Sequence, residues 1–192
     1  METATRPYAF SRKVFCEGMR DGVPIALGYF AVSFSLGIAA RSAGLTPIQG
    51  FIASLFNNAS AGEYAAFSLI AAGATYVEVA IITLIANARY LLMSCALAQR
   101  FAPGTPFFHR LIIGYDVTDE LFGITIARPG YLNPFYTYGA IALAAPAWAM
   151  GTALGIIAGN LLPVRVVSAL SVALYGMFPV SYTHLTLPTN SL

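Results

Sequence analysis

The 192-residue chain is 58% hydrophobic and only 9% charged, with a mean hydropathy of +0.71 and a formal net charge of +2. A water-soluble domain carries about 25% charged residues, so lipid must solvate most of this surface. No basic run exists that could track a phosphate backbone, which argues against nucleic acid as a partner.

Within lipid, backbone hydrogen bonding permits only helices or a closed barrel. Barrel strands alternate polar and apolar residues with period two. Here the apolar runs are continuous, as in Val77–Ile85 and Ile141–Ala149, which predicts an all-α polytopic transmembrane helix bundle. Residues 1–22 read as a cytoplasmic N-terminus. Within them, residues 8–21 set Phe10, Val14 and Phe15 against Arg12, Lys13 and Arg20, as an interfacial helix does. A first span runs over about 23–40, entered through Pro24 and ended near Gly44-Leu45-Thr46-Pro47.

The next apolar region, 48–73, is interrupted at Asn57-Asn58-Ala59-Ser60-Ala61-Gly62-Glu63. Each half has about 10 residues, roughly 15 Å of helix and half a hydrocarbon core. It is either one broken span or a re-entrant hairpin. Arg6, Arg12, Lys13 and Arg20 favour a cytoplasmic N-terminus. A hairpin then brings the Arg100–Arg110 loop and Arg165 to the same side, and is the preferred reading; Arg128 falls outside. A third span covers about 76–98, a fourth about 111–127, a fifth about 136–158, and a sixth starts after Pro163.

Leu36-Gly37-Ile38-Ala39-Ala40 is echoed by Leu154-Gly155-Ile156-Ile157-Ala158. Such an echo suggests either a weak inverted repeat or ordinary small-residue helix packing. From about Pro179 the pattern breaks, and Ser181–Thr189 resembles a translated sequencing-adapter read-through. The expectation is therefore a permease domain over 23–178, with its last helix cut short, and a non-native tail over 179–192.

Five of the eight acidic residues lie within or beside apolar stretches: Glu63, Glu78, Asp116, Asp119 and Glu120. One charge at a membrane-helix centre costs roughly 2.5–3.5 kcal/mol on insertion scales, so these residues must face a cavity or one another. Read as one helix, residues 111–127 place Asp116, Asp119 and Glu120 on a single face at i, i+3 and i+4. That face suits proton coupling, or a structural network with Arg89. In Asn87-Ala88-Arg89-Tyr90, Arg89 is the counter-ion for this face, the partner of a substrate carboxylate, or half of a packing ion pair. The break, with Asn57, Asn58, Ser60, Gly62 and Glu63, is a substrate-site candidate together with Asn87, Arg89 and Tyr90, because a half-helix starting near Gly62 presents its positive end. Glu78 reads as interfacial. Enzyme readings find no HExxH, GxSxG or GxGD motif, and no metal cluster or cofactor motif is seen. Cys16 and Cys95 suggest no disulfide framework.

Gly22–Tyr29, Asn58–Gly62, Asn87–Ser94 and His109–Phe122, with Thr118-Asp119-Glu120 at its core, together resemble a known family over about residues 15–178. It is the large subunit of the two-component branched-chain amino acid exporters, the AzlC type. The resemblance implies a bacterial inner-membrane permease that exports valine, leucine, isoleucine and sometimes methionine on the proton motive force. It also implies a small hydrophobic partner subunit of the AzlD type. The family often carries glutamine where this chain has Glu63. The alternative class is a non-transporting membrane scaffold or sensor subunit whose polar face binds a partner helix.

Overall fold

A computed structural model describes residues 9–159; the expected sixth span and the tail lie outside the described residues. The described residues form eight helices, α1 (Arg12–Ser42), α2 (Pro47–Phe56), α3 (Ser60–Ala71), α4 (Tyr76–Ala86), α5 (Arg89–Ala98), α6 (Phe107–Tyr115), α7 (Asp119–Ile126) and α8 (Pro134–Ala158). Among them the only strand-like feature is an isolated bridge between Phe101 and Leu132. Exposed Leu27, Ile48, Phe56, Val77, Leu84 and Leu92 provide the apolar exterior that lipid solvates. The chain is an all-α membrane protein.

The separate interfacial helix and first span expected from sequence are one helix. Ser11 caps its start and Pro24 lies inside it. Its 31 residues reach about 46 Å at 1.5 Å per residue, longer than the roughly 30 Å hydrocarbon core. Packing along its whole length against α8 explains the continuity. A Cβ on Gly18 would lie 1.9 Å from the Tyr136 carbonyl oxygen, and one on Gly37 would lie 2.2 Å from that of Thr152. These contacts advance together along both sequences, so α1 and α8 run parallel. The close approach is van der Waals packing between small residues, the usual way helices associate in lipid. The Leu36–Ala40 and Leu154–Ala158 stretches are opposing halves of this interface, where Gly37 and Gly155 meet.

The second apolar region folds back on itself. Ser54 on α2 donates a hydrogen bond to Glu63 on α3. Nine residues of continuous helix would separate those positions by about 13 Å, so residues 57–59 are the tip of a re-entrant hairpin. The capping box of Thr46 and Gln49 starts its descending arm, and Gly44 and Gly73 take positive φ at the turns that follow α1 and α3.

Two further segments depart from the sequence reading. The 76–98 span is α4 and α5, bent by 51° at Asn87–Ala88. The 111–127 span is not one helix: α6 stops at Tyr115, residues 116–118 are unwound, and α7 starts at Asp119. His109, in the first turn of α6, meets Tyr138, while Thr125 near the end of α7 meets Thr137. Both arms therefore return to the same turn of α8, and α6–α7 is a second hairpin. Arg128 consequently lies at the same end as Arg100, not opposite it. Arg100 donates to the carbonyls of Ile126, Arg128 and Gly130, and Arg128 pairs with Glu17 at 2.8 Å.

Among the described residues three apolar elements have the length to cross a membrane, α1, α8 and the bent pair α4–α5. Two hairpins enter between them from opposite ends, and their arms of 8–12 residues each reach about half a hydrocarbon core.

Candidate functional site

The tips of the two hairpins meet. The Asn58 amide donates to Asp116 Oδ1 at 3.2 Å, and the Tyr115 hydroxyl donates to the Phe56 carbonyl at 2.5 Å. The third interruption joins them, because a Cβ on Gly62 would lie 2.5 Å from the Asn87 amide. A side chain on Gly62 would displace the Asn87 amide from the start of α3. Unwound backbone at membrane depth is tolerated where protein buries it or a cavity receives it, and all three interruptions share that solution.

Beside the tips lies a cavity of about 320 Å³, lined by Pro24, Ile25, Gly28, Tyr29 and Val32 of α1, Asn58 and Ser60 of the first hairpin, Tyr90 of α5, Thr118, Asp119 and Glu120 of the second hairpin, and Trp148 of α8. Its wall is mostly aliphatic and aromatic, with a few polar groups converging at one side, as small-molecule sites usually are. Thr118 caps α7, which fixes Asp119 and Glu120 in its first turn. Tyr29 Oη donates to Glu120 Oε2 at 2.8 Å and also contacts the Thr118 hydroxyl. Asp119 pairs with Arg89 at 3.0 Å, and Arg89 also reaches the Tyr90 hydroxyl at 3.3 Å. α3 begins at Ser60 with no side chain capping it, because Ala59 occupies the N-cap position. Its first amides therefore keep the partial positive charge of a helix N-terminus beside the cavity.

The structure divides the residues expected at the site. Asn58, Ser60, Tyr90, Asp119 and Glu120 line the cavity. Arg89 stands behind Asp119, as its ion-pair partner. Asn57 and Asn87 instead line a separate groove between α3 and α4, and Gly62 packs against Asn87. Asp116 does not share a face with Asp119 and Glu120: it is the C-cap of α6, before the break, whereas they follow it. Glu78 is an N-terminal capping residue, bonded to Thr75 at the start of α4.

Glu63 is 1% exposed and lies behind the cavity wall. It accepts from Ser54 and, at 2.7 Å, from the Trp148 indole N–H. Ser54 Oγ lies 2.7 Å from Thr152 Oγ1. Trp148 in turn packs edge-on against Tyr29, with ring centroids 5.2 Å apart. Glu63 thus holds an aromatic wall of the site without touching its contents. Tyr29, Thr118 and Trp148 were not singled out by their chemistry. Thr118 had a legible signal, since Thr-Asp-Glu before Leu-Phe is a helix-start pattern. Tyr29 and Trp148 needed the packing of α1 against α8.

A multi-pass membrane protein with hairpins meeting beside a cavity that carries a few polar groups in a mostly apolar wall has the architecture of a membrane transport protein. Residues 24–162 match the family described as AzlC protein, and the chain belongs to that membrane transport family. It is 28% identical over 149 residues to a protein of Archaeoglobus fulgidus named "Uncharacterized membrane protein", a match covering 78% of this chain and 64% of that one. It is 25% identical over 164 residues to the Escherichia coli "Inner membrane protein YgaZ", covering 83% and 67% respectively. A Helicobacter pylori membrane protein is 23% identical over 151 residues, covering 77% of this chain and 65% of that one. The chain therefore spans about two thirds of the length of these relatives. No solved structure matches it.

Proposed function

We propose that this protein is a secondary transporter that exports valine, leucine, isoleucine and methionine across the bacterial inner membrane, with a small AzlD-type partner subunit and energy from the proton motive force. The carrying observation is the cavity at the hairpin tips, which has a mostly aliphatic and aromatic wall carrying Asp119 and Glu120, with Arg89 and the uncapped start of α3 beside it. An amino acid zwitterion fits that pattern. Its ammonium faces Glu120, its carboxylate faces the uncapped start of α3, and its branched side chain lies against Ile25, Val32 and Trp148. Asp119 and Glu120 are the groups through which a coupled proton competes with the substrate ammonium. Asp116, before the break and bonded to Asn58, does not line the cavity. The basic residues gathered at the start of α1 and beside Arg100 and Arg128 support a cytoplasmic placement of that end by the positive-inside tendency.

The test is efflux of labelled leucine from proteoliposomes, with and without the partner subunit. Removing an ammonium–carboxylate interaction costs about 1.5–3 kcal/mol, so Glu120→Gln is expected to raise the half-saturating leucine concentration roughly 10- to 150-fold. A folded Glu120→Gln variant with unchanged half-saturation and unchanged pH dependence refutes this placement. A reconstituted pair that moves no amino acid supports the scaffold reading instead.

A further inference from the structure

Glycines lie inside α1 at positions 18, 22, 28 and 37. Three of them serve the contact with α8. A Cβ would lie 1.9 Å from the Tyr136 carbonyl oxygen at Gly18, 2.9 Å from the Ala140 Cα at Gly22 and 2.2 Å from the Thr152 carbonyl oxygen at Gly37. Gly28 differs. A Cβ there meets nothing within 4 Å, and its φ is not positive. Among the described residues, neither a packed neighbour nor the backbone conformation calls for glycine at this position, where alanine would favour the helix more.

Gly28 lines the cavity, with Pro24, Ile25, Tyr29 and Val32 of the same helix. Residues three and four apart share a helix face. Pro24 and Val32 stand at i−4 and i+4 from Gly28 and Ile25 at i−3, so a side chain on Gly28 would point toward the cavity that all three line. Pro24 and Val32 are about 12 Å apart along the axis at 1.5 Å per residue. Between them the missing side chain leaves a notch, one residue high, in an otherwise apolar row.

We infer, on the exporter reading, that this notch receives the end of the substrate side chain and that Gly28 sets the length of side chain the cavity admits. Glu120 and the start of α3 face the ammonium and carboxylate, which every amino acid carries, so they do not separate one amino acid from another. Discrimination falls to the apolar wall, where each methylene either fits or collides. Gly28 is the α1 position of that wall without a side chain. A methyl group added there removes the space a substrate methylene would take, and one methylene in a hydrophobic pocket is worth about 10- to 200-fold in discrimination.

Leucine and valine differ by one methylene and serve as the probes. Both, radiolabelled, are equilibrated with the full chain in lipid nanodiscs, and both are followed in efflux from proteoliposomes with the partner subunit. Gly28→Ala is expected to lower the leucine-to-valine affinity ratio about 10-fold or more while valine binding stays near that of the parent. Gly28→Val, which fills more of the notch, is expected to weaken valine as well. Gly123→Ala, whose Cβ also meets nothing within 4 Å but which does not line the cavity, is expected to leave the ratio unchanged. A distorted fold would weaken both amino acids alike, so the ratio isolates the notch. An unchanged ratio in the folded Gly28 variants overturns the assignment while the exporter reading stands. An equal loss for both amino acids in Gly28→Ala, or a shift of the same size in Gly123→Ala, does the same. Binding without efflux refutes export and leaves the binding ratio to decide on Gly28. A folded parent that binds neither amino acid refutes both.

Discussion

Replacing Glu63 separates a positioning role from a charged one. In Glu63→Ala the Trp148 N–H loses its acceptor, which costs about 1–3 kcal/mol for a buried group. Ser54 can still bond Thr152 at 2.7 Å, so it adds little. Truncation also leaves a cavity between α2, α3 and α8; large-to-alanine changes in packed cores cost about 2–5 kcal/mol in total. The combined loss is roughly 3–8 kcal/mol, a fall of about 6–32 °C in the unfolding midpoint for a domain of this size. Glu63→Gln preserves the volume and every contact. Its amide oxygen accepts from Trp148 and its NH2 donates to Ser54, which then donates to Thr152. That variant is expected to lie within about 1 kcal/mol of the parent, as volume-conserving swaps do. Thermal unfolding in detergent reads both variants, and the emission of Trp148, the only tryptophan, reports on the cavity wall directly. The reasoning is refuted if Glu63→Gln is as damaging as Glu63→Ala, or if Glu63→Ala leaves stability and Trp148 emission unchanged.

The α1–α8 interface is expected to reject side chains. Gly37→Val places a Cβ 2.2 Å from the Thr152 carbonyl oxygen, so the helices must separate at a cost of at least about 1–3 kcal/mol. Gly123→Ala, whose Cβ meets nothing within 4 Å, serves as the control, and the two unfolding midpoints decide. For the Arg89–Asp119 pair, whose side chains are 31% and 41% exposed, a double-mutant cycle with Arg89→Gln and Asp119→Asn is expected to give a coupling of about 1 kcal/mol or less. That coupling should shrink in high salt, and a value of several kcal/mol would contradict the half-open environment.

Much of this site is legible in residue order because certain residues carry their own local physics. Asn57-Asn58 inside an apolar run cannot propagate a helix cheaply, and its half-lengths match half a membrane. The reading of 111–127 as one helix failed for an identifiable reason. Apolar residues flank Asp116 on both sides, but α6 ends at Asp116 and Thr118 accepts from the Leu121 amide to start a new helix, so the local capping preference outweighs the hydrophobic run. The same oversight placed Arg128 at the wrong end, because a hairpin and a span have the same composition. The bend at Asn87–Ala88 is hidden likewise, since the Asn87 amide there packs against Gly62 on another element.

By itself the sequence determined the solvent, and with it the helices. An apolar chain with 9% charge must satisfy its backbone internally, and its embedded acids and amides must gather around something polar. Only the tertiary structure decided which of them meet. Glu63 and Asp116 have as strong a claim on paper as Glu120, yet one stands behind an indole and one behind an amide, while Glu120 faces the cavity. The difference is set by chain reversals at residues 57–59 and 116–118 and by the small-residue contact of α1 with α8. Side chains distant in sequence become neighbours there, and no local pattern records the pairing.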